Sequence, residues 1–189
     1  MPKHKLFSPP LQKKSVLHGL PKYALSVRQP HAQLLVVESA KNPGMPIKWC
    51  ENRTWSPPES LFGSRILIHA SGTPPSTHDA AEVRKELTNH GHPSLRFQRS
   101  ALIGTVRLLG VVHVPDSIGF YAPIKPEMDK AVALVKFYTG KTPHRTDGRH
   151  HFDHYPGTYW WIMSEPRLLK TPILCSGHLN LWRPADYID

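Results

Sequence analysis

The distribution of apolar positions predicts an alternation of short strands and helices. In residues 23–28, Leu25 and Val27 are two positions apart, which places them on one face of a strand. Proline is favourable in the first position of a helix, so Gln29-Pro30 predicts that a helix begins there. The same reasoning gives the remaining elements, which are strands at 47–53, 65–70, 101–114, 158–163 and 179–182 and helices at 77–89 and 127–138.

The long apolar run at 101–114 contains two glycines. Gly104 and Gly110 predict bends or bulges of the kind that curve a sheet. The order of elements, without an internal repeat or a domain boundary, predicts an α+β fold built on a curved sheet. We therefore expect one domain over residues 22–189, with an insertion at about 115–157.

The chain is basic, with 24 Lys and Arg against 14 Asp and Glu, for a formal net charge of +10. Such an excess favours polyanionic partners. Residues 1–21 have no sustained hydrophobic period and are expected to form a basic, flexible tail, either an electrostatic arm for nucleic acid or a disordered extension. Five lysines and no acidic residue occur in the first 22 positions, at Lys3, Lys5, Lys13, Lys14 and Lys22.

Composition also indicates the cellular compartment in which the protein is expected. Cys50 and Cys175 form neither a metal-type pair nor a disulfide framework, so a reducing compartment is expected. No apolar run approaches membrane-spanning length, and no membrane partner is expected. We expect a cytoplasmic protein, or a nuclear one in a eukaryotic cell.

Residues 47–55 concentrate charged and aromatic side chains. Lys48, Glu51 and Arg53 lie among Trp49 and Trp55. Regular strand alternation would place Lys48 on the face opposite Trp49 and Glu51. Such a strand suits a groove for a flat anionic ligand, and the alternative is an edge strand with solvated charges and one buried Trp.

Three ordered motifs resemble the ASCH domain family: Ala24-Leu-Ser-Val-Arg-Gln-Pro30, Glu51-Asn-Arg-Thr-Trp55 and Arg65-Ile-Leu-Ile-His-Ala-Ser71. Gly104-Thr-Val, Trp161, Pro172-Ile173 and Leu181-Trp182 extend the match over residues 23–114 and 158–183. The resemblance implies a PUA-like curved β-barrel with flanking helices. It also implies a nucleic-acid-binding module, with RNA as the first expected partner and single-stranded DNA as the second.

The chain departs from the family pattern in three places. His31 stands where an aromatic residue often follows Gln-Pro, the turn at 41–46 is expanded, and the insertion is long. Some family relatives are reported as ribonucleases, and one branch as an amidohydrolase of acylated cytidine. That branch uses a Lys–Thr pair with a separate Glu; Lys48 matches the Lys, whereas Glu51 replaces the Thr.

The candidate nucleic-acid-binding residues are Arg28, Gln29, Lys48, Arg53, Trp55, His69, Ser71 and Trp161. If the protein is an enzyme, a metal-independent ribonuclease or a nucleoside-modifying hydrolase, the candidate catalytic residues are Lys48, Glu51 and His69. A third class is a protein-interaction module within a larger assembly.

Several of these residues also have a structural interpretation. Arg28 and Gln29 could bind phosphate at a helix N-terminus, or could be a surface charge and a helix cap. Arg53 could bind a phosphate or pair with Glu51, and His69 could be an acid–base group or a hydrogen-bonded structural residue.

The aromatic residues could form a base-stacking platform of Trp49, Trp55, Tyr159, Trp160 and Trp161. Trp160 and Trp161 are adjacent and would point to opposite faces of a strand, so at most one of them faces a cleft. Trp182 is expected in the core.

A histidine-rich segment raises the question of a metal. Its candidate ligands are His144, His150, His151, Asp153 and His154. Pro156-Gly157 argues against a helix that would fix their geometry. We therefore predict no metal site and no cofactor, and interpret the segment as a polar insertion.

Overall fold

The computed structural model describes residues 16–116, 125–143 and 157–188. Three helices are present in these segments: α1 (His31–Val36), α2 (Thr77–Asn89) and α3 (Lys125–Thr139). The strands are β1 (Ala24–Val27), β2 (Cys50–Arg53), β3 (Arg65–Ala70), β4 (Ala101–Val114), β5 (Thr158–Leu174) and β6 (Leu181–Trp182). Short 3-10 turns occur at Glu59–Leu61 and Pro184–Asp186.

The six strands form one mixed sheet in the order β2-β5-β4-β3-β1-β6. β1 and β3 are parallel, and every other neighbouring pair is antiparallel. The α+β class predicted from the sequence is therefore confirmed. Among the described strands, backbone hydrogen bonds leave the sheet open, with β2 and β6 at its edges, so they do not close a barrel.

Most predicted elements are present, with shifted ends. α2 matches its predicted bounds because Ser76 Oγ accepts a hydrogen bond from Asp79 N at 3.0 Å and caps the first turn. β5 continues to Leu174, well beyond the predicted end at residue 163. α3 begins two residues earlier than predicted, and β6 contains only Leu181 and Trp182.

The bulges predicted at the two glycines of β4 are confirmed. The register against β5 shifts between Leu102 and Gly104 and again between Leu108 and Gly110. A Cβ on Gly104 would lie 2.6 Å from Val36 Cβ and from the carbonyl oxygen of Arg167. The missing side chain therefore lets α1 pack closely on the sheet.

Helices cover opposite faces of the sheet and enclose separate apolar clusters. Ala32 and Leu35 of α1 belong to the cluster that contains Trp161. Ala131 and Val135 of α3 belong to a second cluster, which contains Trp160. The prediction that the adjacent tryptophans point to opposite faces is confirmed, and both are fully buried. Trp182 is also in the core, as predicted.

The predicted tail and insertion fall partly outside the described residues. Residues 1–15 lie outside them, whereas Leu17 and Leu20 pack against a small cluster around Trp182. Within the described part of the chain, no helix is both long enough and apolar enough to cross a membrane.

Candidate nucleic-acid interface

Lys48 and Glu51 form a buried ion pair, with Lys48 Nζ donating to Glu51 Oε2. Lys48 N donates to Leu34 O at 3.0 Å, so this segment pairs with the end of α1 and β2 begins only at Cys50. The prediction that Lys48 lies on the face opposite Glu51 is therefore wrong. Strand alternation does not apply to a residue that precedes the strand.

Glu51 lies between two cations. Arg53 Nη2 is 3.0 Å from Glu51 Oε1, on the other side of the carboxylate from Lys48. Burial would raise the pKa of Glu51, but Lys48, then Arg53 and more weakly His31, lower it below its usual value. The carboxylate is therefore ionised at neutral pH, and the Lys48–Glu51–Arg53 cluster carries a net positive charge.

Cys50 lies at the start of β2 and is fully buried. Burial raises the pKa of its thiol far above the usual value. The thiol is protonated at neutral pH, so Cys50 is a packing residue and not a nucleophile.

Arg53 also reaches across to β1. Its Nη2 donates to the carbonyl oxygen of Ser26 at 2.9 Å. The hydrogen bonds to Glu51 and Ser26 fix the guanidinium while its side chain remains 22% exposed. A partly exposed guanidinium held in this way is available to a phosphate group.

Of the five aromatic residues proposed as a base-stacking platform, only Trp55 and Tyr159 are partly exposed. Trp49 is buried together with Trp160 and Trp161, so none of the three presents a ring face for stacking. Trp161 Nε1 donates to Trp55 O at 3.1 Å, and the two rings meet edge to face at 4.7 Å. Trp161 therefore positions Trp55, which remains half-buried.

Tyr159 lies beside the charged cluster. It is the register partner of Arg53 between β2 and β5, and it is half-buried. Its other register partner is His113 on β4, an exposed residue whose ring centroid lies 4.7 Å from that of Tyr159. Sequence reasoning missed His113, because no motif marks it and only the β4–β5 register places it here.

Arg28 and Gln29 have different environments. Arg28 is exposed. Gln29 is buried, and its Oε1 accepts from Gln33 N at 3.2 Å while its Nε2 donates to Gln98 O at 2.6 Å. Pro30 is the N-cap of α1, and Gln29, one residue before it, accepts from an N–H of the first turn, which agrees with the structural one of its two interpretations. Gln29 also ties α1 to the loop before β4.

His69 occupies a structural position. It is 1% exposed, its Nε2 is 3.1 Å from Cys175 O, and it packs edge to face on Trp182. Burial lowers its pKa, as does nearby His178, although the contact with Cys175 O opposes them. The ring is neutral at pH 7. Within the described residues, no hydrogen bond or ion pair joins it to Lys48 or Glu51, so the three candidate catalytic residues do not form one contact network.

Ser71 follows β3 directly and is half-buried. Its N–H donates to Val27 O at 2.8 Å, so its backbone extends the β1–β3 pairing.

The histidine-rich segment lies largely outside the described residues, including all five candidate ligands at 144, 150, 151, 153 and 154. In the residues that are described, no group of three His, Cys, Asp or Glu side chains could hold a metal ion.

No protein-family model matches the chain. No curated protein matches it either. Among solved structures, the chain is similar to the crystal structure of ASCH from Zymomonas mobilis, with 14% identity, 85% of each chain covered and a TM-score of 0.42. Two mutant forms of that protein have 14% and 16% identity and TM-scores of 0.41 and 0.40, over 85% of this chain and 88% and 86% of theirs. These solved structures carry the name of the family that the motifs at 24–30, 51–55 and 65–71 resemble.

Proposed function

We propose that the protein is an ASCH-like module with a PUA-like sheet that binds nucleic acid. RNA is the preferred partner, and single-stranded DNA is the second candidate. The observation that carries the proposal is the position of Arg53. Its guanidinium is held by Glu51 and Ser26, its register partner is the half-buried Tyr159, and the half-buried Trp55 follows it by two residues in the chain. A fixed cation next to an aromatic surface fits a phosphate and its neighbouring base.

The chemistry of each part supports this assignment. Both hydrogen bonds that hold Arg53 use Nη2, so Nη1 remains to donate to a phosphate oxygen, and the two bonds reduce the entropy lost on binding. Aromatic rings stack on bases with little regard to base identity, at about 1–3 kcal/mol per base. The net charge of +10 favours a polyanion.

The remaining sequence-predicted residues take supporting roles in this proposal. Lys48 keeps the Glu51 carboxylate ionised and balances its negative charge. Arg28, which is exposed, supplies a further positive charge. Gln29 and Trp161 position α1 and Trp55. His69 and Ser71 shape the nearby ends of β3 and β1.

The test is a fluorescence anisotropy titration of a labelled 12-nucleotide RNA, and of DNA of the same sequence, over a series of salt concentrations. We expect tighter binding to RNA and a log K that falls by about 0.7 per log unit of salt for each phosphate contact. Arg53→Gln should weaken binding, and the exposed Arg96→Gln should not. A salt-independent affinity, or none, would favour a protein-interaction module.

A second candidate is a metal-independent ribonuclease or a nucleoside-modifying hydrolase. The observation that favours it is the buried Lys48–Glu51 pair, which could transfer a proton at the edge of the interface. Overnight incubation of RNA and of acylated nucleosides in EDTA tests it. Product formation that Lys48→Arg abolishes would establish the enzyme, because a guanidinium stays protonated.

A further inference from the structure

Two arginines pair with one glutamate where β3, β4 and β5 are adjacent, and a third arginine on β5 is the register partner of Thr105, which Arg65 also contacts. We call Arg65, Arg107 and Arg167, together with Glu165, the arginine cluster. Arg65 Nη2 is 2.8 Å from Glu165 Oε2, and Arg107 Nη1 is 3.0 Å from Glu165 Oε1. Arg167 follows two residues later on β5 and is exposed.

The arginine cluster is distinct from the interface around Arg53. Arg65 is the first residue of β3. Strand alternation directs it away from the face of Ile66 and Ile68, which pack in the apolar cluster that contains Trp161. Ser26, which Arg53 contacts, is the register partner of His69 in β3. Four residues of strand separate Arg65 from His69, about 13 Å at the usual rise.

Two guanidiniums are held in place by hydrogen bonds to the main chain. Arg107 Nε donates to Gly63 O at 2.9 Å. Arg65 Nη1 donates to Glu165 O at 3.0 Å and to Thr105 Oγ1 at 2.9 Å. The donors are therefore ordered before any ligand arrives.

Glu165 adopts an unusual backbone conformation. Its φ is +47°, in the left-handed region that non-glycine residues rarely occupy, and its N–H donates to Gly44 O at 2.7 Å. The surrounding structure holds Glu165 in this strained conformation, and such strain concentrates at binding sites. In this conformation the carboxylate contacts both Arg65 and Arg107.

The charges of the arginine cluster are not balanced. The cluster contains three guanidiniums and one carboxylate, and the Arg167 side chain has no hydrogen bond or ion pair with any residue that the structure describes. Burial lowers the pKa of Arg65, and Arg167 and then Arg107 lower it further against the opposing effect of Glu165. Burial would raise the pKa of Glu165, but Arg107 and Arg65 hold it below its usual value. A second anion would relieve the repulsion among the cations.

We propose that Arg65, Arg107 and Arg167 bind a phosphate group, with Glu165 orienting the first two side chains. A phosphate has enough oxygen atoms to accept from several guanidiniums at once. The group is either a free or small-molecule phosphate or a phosphodiester of a bound strand. The assignment stands independently of the interface at Arg53.

The test is a titration of the ¹⁵N-labelled protein with inorganic phosphate at constant ionic strength, followed by amide chemical shifts. We expect saturable shifts at residues 105–107 and at Ser164, Glu165 and Arg167. Arg167→Gln should raise the Kd about tenfold, as expected for one charge-assisted contact. Its matched control is Lys170→Gln, an exposed cation on the same strand, which should leave the Kd unchanged. Shifts that do not saturate, or an Arg167→Gln protein that matches wild type, would overturn the assignment.

A second arm identifies the source of the phosphate. If a 12-nucleotide RNA shifts the same amides and competes with phosphate, the arginine cluster binds the backbone of a strand. If phosphate saturates these amides and the RNA does not reach them, the ligand is a free or small-molecule phosphate. Both outcomes support the site. Inorganic phosphate tests the arginine cluster without any nucleic acid, so a failure of the nucleic-acid proposal would not by itself contradict this assignment. Arg107→Gln provides a second variant, because loss of a second guanidinium should also weaken phosphate binding in a protein that remains folded.

Discussion

The Arg53 guanidinium donates to the carbonyl oxygen of Ser26 at 2.9 Å and so links two strands that lie four places apart in the sheet. In a flat sheet, strands four places apart would be about 19 Å from each other, beyond the reach of an arginine. The sheet must therefore bend until β2 approaches β1. Arg53 contributes both to this bend and to the proposed interface, and its substitution should affect both.

Arg53→Lys should weaken RNA binding about tenfold although the charge is kept. Arg53 contacts Glu51 and Ser26 through Nη2 and keeps Nη1 for a phosphate, whereas a lysine has one nitrogen atom for all three partners. Its unfolding free energy should also fall by about 1–3 kcal/mol, because a buried carboxylate loses a partner. Anisotropy and urea denaturation measure the two effects. Full affinity in Arg53→Lys would show that charge alone suffices there.

Lys48→Ala should be among the most destabilising substitutions of a charged residue. It leaves the Glu51 carboxylate buried with only Arg53 as its partner, which costs about 3–5 kcal/mol. Lys48→Met combined with Glu51→Gln should recover much of the loss, since no buried charge is then left unpaired. Urea denaturation of the three proteins tests this, and equal stability of Lys48→Ala and wild type would contradict the buried pair.

Glu51 should make stability depend on pH in the acidic range. Its pKa in the folded protein is lower than in the unfolded chain, so its stabilising contribution is complete above the unfolded pKa of about 4.3 and is lost as pH falls through the folded pKa. Glu51→Gln should therefore lose less stability than wild type between pH 6 and pH 3. Equal losses in the two proteins would mean that Glu51 does not carry this dependence.

Gly104→Ala should destabilise the protein by about 1–3 kcal/mol, because its Cβ would overlap Val36 and the main chain of Arg167. Gly110→Ala is the matched control on the same strand. A Cβ there would meet only Leu134 at 3.5 Å, an ordinary contact. Thermal denaturation should show a lower Tm for the first variant only.

Deletion of residues 1–15 should reduce the salt dependence of RNA binding without lowering the Tm. It removes Lys3, Lys5, Lys13 and Lys14. Deletion through residue 21 should in addition lower the Tm, because Leu17 and Leu20 pack against the cluster around Trp182. An unchanged salt slope in the shorter deletion would exclude the first 15 residues as an electrostatic arm.

Features that depend on local pattern could be predicted from the amino-acid sequence. The bounds of α2 follow from helical spacing and the Ser76 cap, and the bulges of β4 follow from Gly104 and Gly110. The opposite faces of Trp160 and Trp161 follow from alternation within a regular strand. Each of these depends on residues that are close together in the chain.

The contacts between charged and aromatic groups could not be predicted, because they depend on how the strands are arranged in the sheet. Lys48 contacts Glu51 because its segment pairs with the end of α1, and alternation alone predicted the opposite. Arg53 reaches Ser26 through a bend of the whole sheet, and the register of β4 and β5 brings His113 to Tyr159. The arginine cluster joins residues up to about a hundred positions apart. Such contacts are set by strand order and register, which no local pattern in one sequence contains.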